Sequence, residues 1–253
     1  MRLRDCVART LWLVTASVLV CVTAVTWAMA SQDTGRHTNG TVGTFHTLPP
    51  GSVLPSDDDC ARRVDRNPWE PRPANAEANR RVPPGPLATR TWGGPQTDAL
   101  QARVTGAFTG TTDEILQWAS CKWGLDTDVA RAQAEQESDW RQSTKGDGGV
   151  SLGLLQIKST YWYGTAPWSA LSTAYNADWT LGKWRACFEG LIVGEQGRGN
   201  LWGCVGYHYT GLWLDPLARK YIGWVKNYLG RKDWLQWPSP TGGQPPTGGR
   251  PSG

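Results

Sequence analysis

Between Thr112 and Gly230 helix starts and stops follow one another closely, and this punctuation limits the possible folds more than any other feature of the chain. Thr112-Asp113-Glu114 opens a predicted helix through Lys122, with Gly124 as its stop. Asp126-Thr127-Asp128 caps a second, running to about Trp140. Lys145-Gly146-Asp147-Gly148-Gly149 reads as a loop. A third helix spans Thr173 to Glu189 and closes at Gly190. The last runs from Pro216, with proline in its favoured first turn, to Leu229 before Gly230. Apolar residues recur at spacings of three and four, so the expected fold is mainly α, with helices and no strands.

The flanks differ in composition. Residues 31–98 are rich in Pro, Gly, Asp, Arg and Asn and poor in apolar residues, which predicts an extended or disordered N-terminal arm. Residues 238–253 repeat Pro, Thr and Gly as a low-complexity tail, predicted to be disordered. The folded domain is therefore placed at 99–237. At the start, Arg2, Arg4 and Arg9 precede an apolar run from Leu11 to Ala30 that ends Ala28-Met29-Ala30. This reads as a secretory signal peptide over 1–30, and as an N-terminal membrane anchor if it is not cleaved.

Cleavage would remove Cys6 and Cys21 and leave Cys60, Cys121, Cys187 and Cys204. An even count in an exported chain argues for two disulfides, and four cysteines allow three pairings. The favoured one is Cys60–Cys121, tying the arm to the domain, with Cys187–Cys204 closing a short loop. No C-x-x-C occurs and the chain has three histidines, so no metal site is expected. The mature chain would carry 23 basic against 21 acidic residues, without a long basic run. That balance does not point to nucleic acid.

The residue with the most chemical promise is Glu137. Ala130, Ala134 and Glu137 follow at spacings of four and three, so the glutamate shares the small apolar stripe that packs. Glu135 is rotated about 200° away at about 100° per residue, with Arg131 four residues earlier, and is expected on the solvated face. A lone glutamate more often caps or pairs within its helix. This one is followed by Ser151-Leu152-Gly153-Leu154-Leu155-Gln156-Ile157, a glycine-led apolar turn with a single strongly polar side chain after the glycine. The glycine would let backbone turn beside a sugar, with Gln156 orienting a hydroxyl or amide; a tight turn around a satisfied core amide is the plainer alternative. A carboxyl in a dry, aromatic-walled cleft keeps its proton near neutral pH and can protonate a leaving oxygen.

With both segments quoted, the chain resembles the soluble lytic transglycosylases of the goose-type lysozyme-like fold over about residues 110–235, in an actinobacterial secreted branch. Glu137-Ser138 is similar to the family's acidic pair. Gly153-Leu154-Leu155-Gln156-Ile157 is similar to its Gly-Leu-Met-Gln-Ile run. Tyr175-Asn176-Ala177-Asp178-Trp179 resembles the segment with its buried asparagine. The family's late Ala-Tyr-Asn-Ala-Gly is replaced by Gly206-Tyr207-His208-Tyr209-Thr210-Gly211; alignment on Gly211 puts His208 at the tyrosine position, and a local shift would bring Tyr207 or Tyr209 there instead.

The resemblance implies a lysozyme-like helical domain and a secreted peptidoglycan lytic transglycosylase. Such an enzyme cleaves the β-1,4 bond between N-acetylmuramic acid and N-acetylglucosamine with one glutamate, here Glu137, and forms a 1,6-anhydro product. It implies no cofactor, and peptidoglycan glycan strands as the partner, with the protein taken as a monomer. Ser151, Gln156, Asn176, Tyr207, Tyr209 and Trp140 become the expected substrate-binding residues. Two alternatives stand beside it: a muramidase using water held by Asp147 or Asp178, and a peptidoglycan-binding module without turnover. Of twelve tryptophans between Trp118 and Trp237, Trp140, Trp162, Trp202 and Trp213 lie near loops and suit a glycan cleft, while Trp118 and Trp184 look structural.

Overall fold

The computed structural model describes residues 43–246, all within the compact unit Asn39–Gly253. The predicted signal or anchor at 1–30 and the last tail residues, 247–253, lie outside the described residues. Among the described residues eight α-helices carry the fold: α1 Asp57–Arg63, α2 Asp98–Gln101, α3 Thr112–Trp123, α4 Thr127–Ser138, α5 Trp168–Leu171, α6 Thr173–Phe188, α7 Leu201–Thr210 and α8 Pro216–Arg231. The mainly α expectation holds. Three two-residue strands, β1 Lys145–Gly146, β2 Ser151–Leu152 and β3 Ile157–Lys158, form a small antiparallel sheet where only loop was expected. Strands that short leave no period-two signal in a sequence.

The helix ends follow local chemistry. Thr111 and Glu114 form a reciprocal capping box at α3, and Gly124 closes it in the left-handed region (φ 56°). The Asp126 side chain accepts from the amides of Asp128 and Val129 at the start of α4, and the Ser172 hydroxyl accepts from Tyr175 at α6. Helix α8 runs past Gly230 and stops at Lys232 (φ 50°), whose Nζ pairs with Asp128 at 2.5 Å. Helix α7 escaped prediction because it contains Gly203 and Gly206, poor helix formers. A Cβ on Gly203 would stand 2.3 Å from the Trp213 ring, so the glycine is there to let the indole close.

Helix α6 runs through the middle, every one of its residues buried. It packs on α3 and α7, and α8 packs on both α4 and α7. The described part of the arm, residues 43–98, carries helix α1 and several single turns and is no loose appendage. Phe45, Trp69 and Trp92 are at most 4% exposed within the main core, so the expected boundary at residue 99 is not a boundary in packing. Composition misled here because a few large aromatics carry the arm's burial. The tail is likewise held: Thr241 Oγ1 donates to the Pro68 carbonyl at 2.8 Å and Asn67 Nδ2 to that of Gln244 at 2.6 Å, against the expectation of disorder from 238.

The favoured disulfide pairing is the one found, Cys60–Cys121 and Cys187–Cys204. Among the described residues no helix is long and apolar enough to cross a membrane. Two disulfides are compatible with an oxidising, extracellular compartment.

Candidate active site

Glu137 sits one residue before the end of α4, on the stripe with Ala130 and Ala134, which are 1% and 0% exposed. The helix ends abruptly. Asp139 and Trp140 both take left-handed backbone (φ 52° and 59°), and their amides reach back to the Glu135 and Ala134 carbonyls at 2.9 and 3.2 Å. Left-handed backbone is costly for a tryptophan, and burial holds it. Trp140 is 0% exposed; its Nε1 donates to the Arg131 carbonyl at 2.9 Å. Its ring lies 5.8 Å from Trp69, 6.3 Å from Trp234 and 5.4 Å from Trp237. Trp140 therefore locks the helix end from within and has no face for a sugar, a correction to its expected place in the cleft.

The glycine-led turn is bound to α4 and α6 by amides. Ser138 Oγ donates to the Leu154 carbonyl at 2.8 Å. Asn176, 0% exposed, accepts from the Leu155 amide at 2.7 Å and donates to the Leu152 and Ser169 carbonyls, each at 2.8 Å. Gln142 accepts from the Leu154 amide at 2.9 Å and donates to Ser169 at 2.9 Å. Gly153 (φ 82°) packs into this network, where a Cβ would stand 2.3 Å from Asn176 Nδ2 and 2.4 Å from the Ser169 carbonyl. The glycine thus serves close packing inside the protein, not approach to a sugar.

Gln156 spends its amide on the same loop, accepting from Gly146 N at 3.0 Å and donating to the Gly153 carbonyl at 2.7 Å. Ser151, 6% exposed, donates to Asp147 Oδ2 at 2.9 Å. Ser151, Gln156 and Asn176, expected to bind substrate, are instead parts of the frame that positions the acid. Gln142, which sequence reasoning missed, belongs with them.

The Glu137 carboxyl, 11% exposed, meets two side chains. Tyr221 Oη donates to its Oε1, and His208 Nε2 lies 3.7 Å from the same oxygen. Burial pushes the carboxyl up to about 7, the Tyr221 hydrogen bond pulls it down, and the charge of Asp147 adds a smaller upward push. Burial, with the nearby Lys183 charge, drives His208 down to about 3, so the imidazole is neutral and offers Glu137 no cation. The phenol at the acid thus comes from α8 and not from Tyr207 or Tyr209. His208, aligned with the family tyrosine, does stand beside the acid. Tyr221 had a signal: Ala218, Tyr221 and Val225 follow at spacings of three and four, and all three are buried.

Tyr209, 49% exposed, stacks on Tyr221 with centroids 4.6 Å apart, and Trp224, 37% exposed, stands edge-on to both. These rings form an accessible aromatic shelf one residue from the acid, so Tyr209 is in place to touch a ligand and Trp224 joins it. Tyr207 lies on the other side of His208, facing Lys183 at 5.7 Å from Nζ to ring. Of the other cleft tryptophans, Trp162 and Trp202 are half-buried beneath Lys183 and Lys226, and Trp213 is packed at the Cys187–Cys204 cluster.

The remaining carboxylates sort themselves. Asp178 is 0% exposed and fully engaged, with Lys122 Nζ at 2.8 Å and Trp123 Nε1 at 2.7 Å, so it holds the core and not a water. Asp147 is exposed on its turn, with Lys158 at 3.3 Å. Glu135 is 7% exposed, not solvated, and Arg131 is committed to Asp113 and Asp128. Its carboxyl is also raised to about 7, by burial and then by Asp233. Glu135 faces the charged Asp233, Arg231 and Asp139, whereas Glu137 faces rings.

Among the described residues no group of three or more His, Cys, Asp or Glu could hold a metal. A cavity of about 540 Å³ at the arm–tail seam, lined by Arg66, Glu70, Asn79 and Thr241 among others, shares no residue with this site. No family model, curated protein or solved structure matches the chain.

Proposed function

We propose that this chain is a secreted peptidoglycan lytic transglycosylase with Glu137 as its sole acid and base. The observation that carries the proposal is the setting of Glu137: a carboxyl held on a locked helix end, buried among rings, raised to about 7, and touched by one phenol and one neutral imidazole. Such a group holds its proton near neutral pH and can deliver it to a leaving oxygen. Glycosidases commonly work with two carboxylates, and substrate assistance is the stated exception. Here Glu137 is supported by aromatic and amide groups, which suits the single-carboxylate chemistry.

Because Tyr221 donates to Oε1, the acid proton belongs on Oε2. It passes to the oxygen between N-acetylmuramic acid and N-acetylglucosamine as the C1–O bond breaks. The substrate's acetamido oxygen supports the electron-poor C1. The muramoyl 6-hydroxyl then adds to C1 and returns its proton to Oε2, closing a 1,6-anhydro ring and restoring the acid. The Tyr209–Trp224 shelf offers C–H stacking surface to a sugar ring beside that centre. Two disulfides suit work outside the cell.

Mass spectrometry of fragments released from purified peptidoglycan tests this directly. The expected products are anhydromuramoyl fragments, lost with Glu137→Gln and retained with Glu135→Gln. Products heavier by one water would make the protein a hydrolase and direct attention to Asp147, whose charge is felt at Glu137. Binding without release would leave a wall-binding module.

A further inference from the structure

Helix α6 carries three charged side chains in its buried middle and end, and two have partners. Asp178 pairs with Lys122, and Arg185 donates to the Leu48 and Pro49 carbonyls and to Glu189. Lys183 is the exception. It is 5% exposed, and neither a carboxylate nor a hydrogen-bond acceptor meets its Nζ among the described residues. Its neighbours are faces of rings: Trp162 at 4.7 Å and Tyr207 at 5.7 Å from Nζ to centroid. Cation–π contact recovers part of the lost hydration but satisfies none of the three N–H donors.

The ammonium is not sealed in. Nζ keeps a slight contact with solvent. It lies one residue beyond the acid: its charge is felt at His208, whose Nε2 is 3.7 Å from Glu137. Tyr161, 50% exposed, stands edge-on to Trp162 with centroids 4.7 Å apart and lies close enough to influence the Tyr207 phenol. Lys183 is thus an unpaired cation at the root of an aromatic strip, Tyr161–Trp162–Tyr207.

A partly desolvated ammonium without an anion is costly to keep, and an arriving anion relieves that cost. We propose that Lys183, walled by Trp162 and Tyr207, is a subsite for a carboxylate of the substrate, selecting acidic glycan over neutral glycan. The inference rests on the peptidoglycan proposal for the choice of ligand. Muramoyl residues carry a carboxylate as the free lactyl group when stripped of peptide, and stem peptides carry others. The ligand chemistry is the same in both cases.

The test measures binding to the non-cleaving Glu137→Gln chain, by tryptophan fluorescence, of four probes: peptide-free glycan with lactyl carboxylates, peptide-bearing glycan with free carboxylates, the same glycan with its carboxylates amidated, and chitooligosaccharide of equal length. A substrate carboxylate on Lys183 makes an acidic probe bind better than chitooligosaccharide. Adding Lys183→Met lowers that ratio roughly ten- to hundredfold, the range for a hydrogen bond to a charged group. A preference for the peptide-free glycan over the amidated probe assigns the lactyl group. A preference confined to peptide-bearing glycan with free carboxylates assigns the stem. An unchanged ratio in Lys183→Met, with the variant folded by near-ultraviolet circular dichroism, overturns the subsite. Should Lys183→Met not fold, Lys183→Gln, which also removes the charge, takes its place, and an unchanged ratio overturns it equally. If the ratio responds but the wild-type chain cuts no glycan, the subsite stands and the transglycosylase reaction fails. If the chain cuts glycan and the ratio is flat, the reaction stands and the subsite fails.

Discussion

Two opposing effects meet at the Glu137 carboxyl. Burial raises its pKa, the Tyr221 phenol lowers it, and burial prevails at about 7. Replacing Tyr221 by Phe removes the lowering effect, so the pKa rises further and the alkaline limb of the rate–pH profile moves to higher pH. The rate at its optimum falls roughly ten- to hundredfold, the worth of a hydrogen bond to a charged partner. On the proposed reading, the rate of the unchanged chain should fall as pH rises through about 7, where Glu137 loses its proton. Stability follows the same group. Below the ordinary value of 4.5 both folded and unfolded chains hold the proton; between 4.5 and about 7 only the unfolded chain ionises; above that the penalty is complete. Glu137→Gln escapes it, so thermal or urea unfolding should show the variant more stable than wild type by about 1–3 kcal/mol at pH 8, and level near pH 4. Glu137 was legible because its spacing from Ala130 and Ala134 put it on the packed stripe. Tyr221 lay on an equally regular stripe eighty-four residues on, but spacing along one helix does not say which other helix it meets.

At the level of elements, the site is a seam between the end of α4, the turn at 153–157 and the buried helix α6. Its fasteners are backbone carbonyls and amides caught by Asn176, Gln142 and Ser138. Gly153→Ala forces a Cβ against Asn176 and Ser169 on left-handed backbone, and should destabilise by more than about 1 kcal/mol while lowering activity disproportionately. Denaturant titration beside turnover measures both. Trp140→Ala removes the ring that locks α4 and should cost about 3–5 kcal/mol by the same titration. Helix starts and stops were readable because caps are local. Asp126, Thr111 and Gly124 act within four residues of themselves. The meaning of Trp140, Gln156 and Asn176 was not readable, since a loop position and a polar side chain suit a binding site and a brace equally well. Only the partner distinguishes them, and the hydrogen-bond partners lie three to twenty-four residues away. Helix α7 stayed hidden because its glycines serve Trp213 and Ile222, which are outside it.

For the molecule as a whole, the arm and the tail are structural members. A fragment beginning at residue 99 loses Trp69 and Trp92 from the core and Cys60 from its bond with Cys121. It should fail to give a cooperative thermal transition, whereas the chain from residue 39 should give one. Reduction alone is milder. Closing the 61-residue loop is worth about 4 kcal/mol and the 17-residue loop about 3 kcal/mol on the loop-entropy scale, so Cys60→Ser should lower stability more than Cys204→Ser. Low apolar content hid the arm's role because the burial is concentrated in a few rings. The Trp69–Trp140–Trp234–Trp237 cluster has a further consequence in the order of synthesis. Its rings come from Trp69 in the arm, from Trp140 just after the helix that bears Glu137, and from Trp234 and Trp237 beyond α8. A growing chain that has not reached Trp234 already possesses Glu137 but not the lock that seats it. The Glu137 carboxyl therefore comes into its setting only after Trp234 and Trp237 have been added, and on the proposed reading the chain gains its activity no earlier than that.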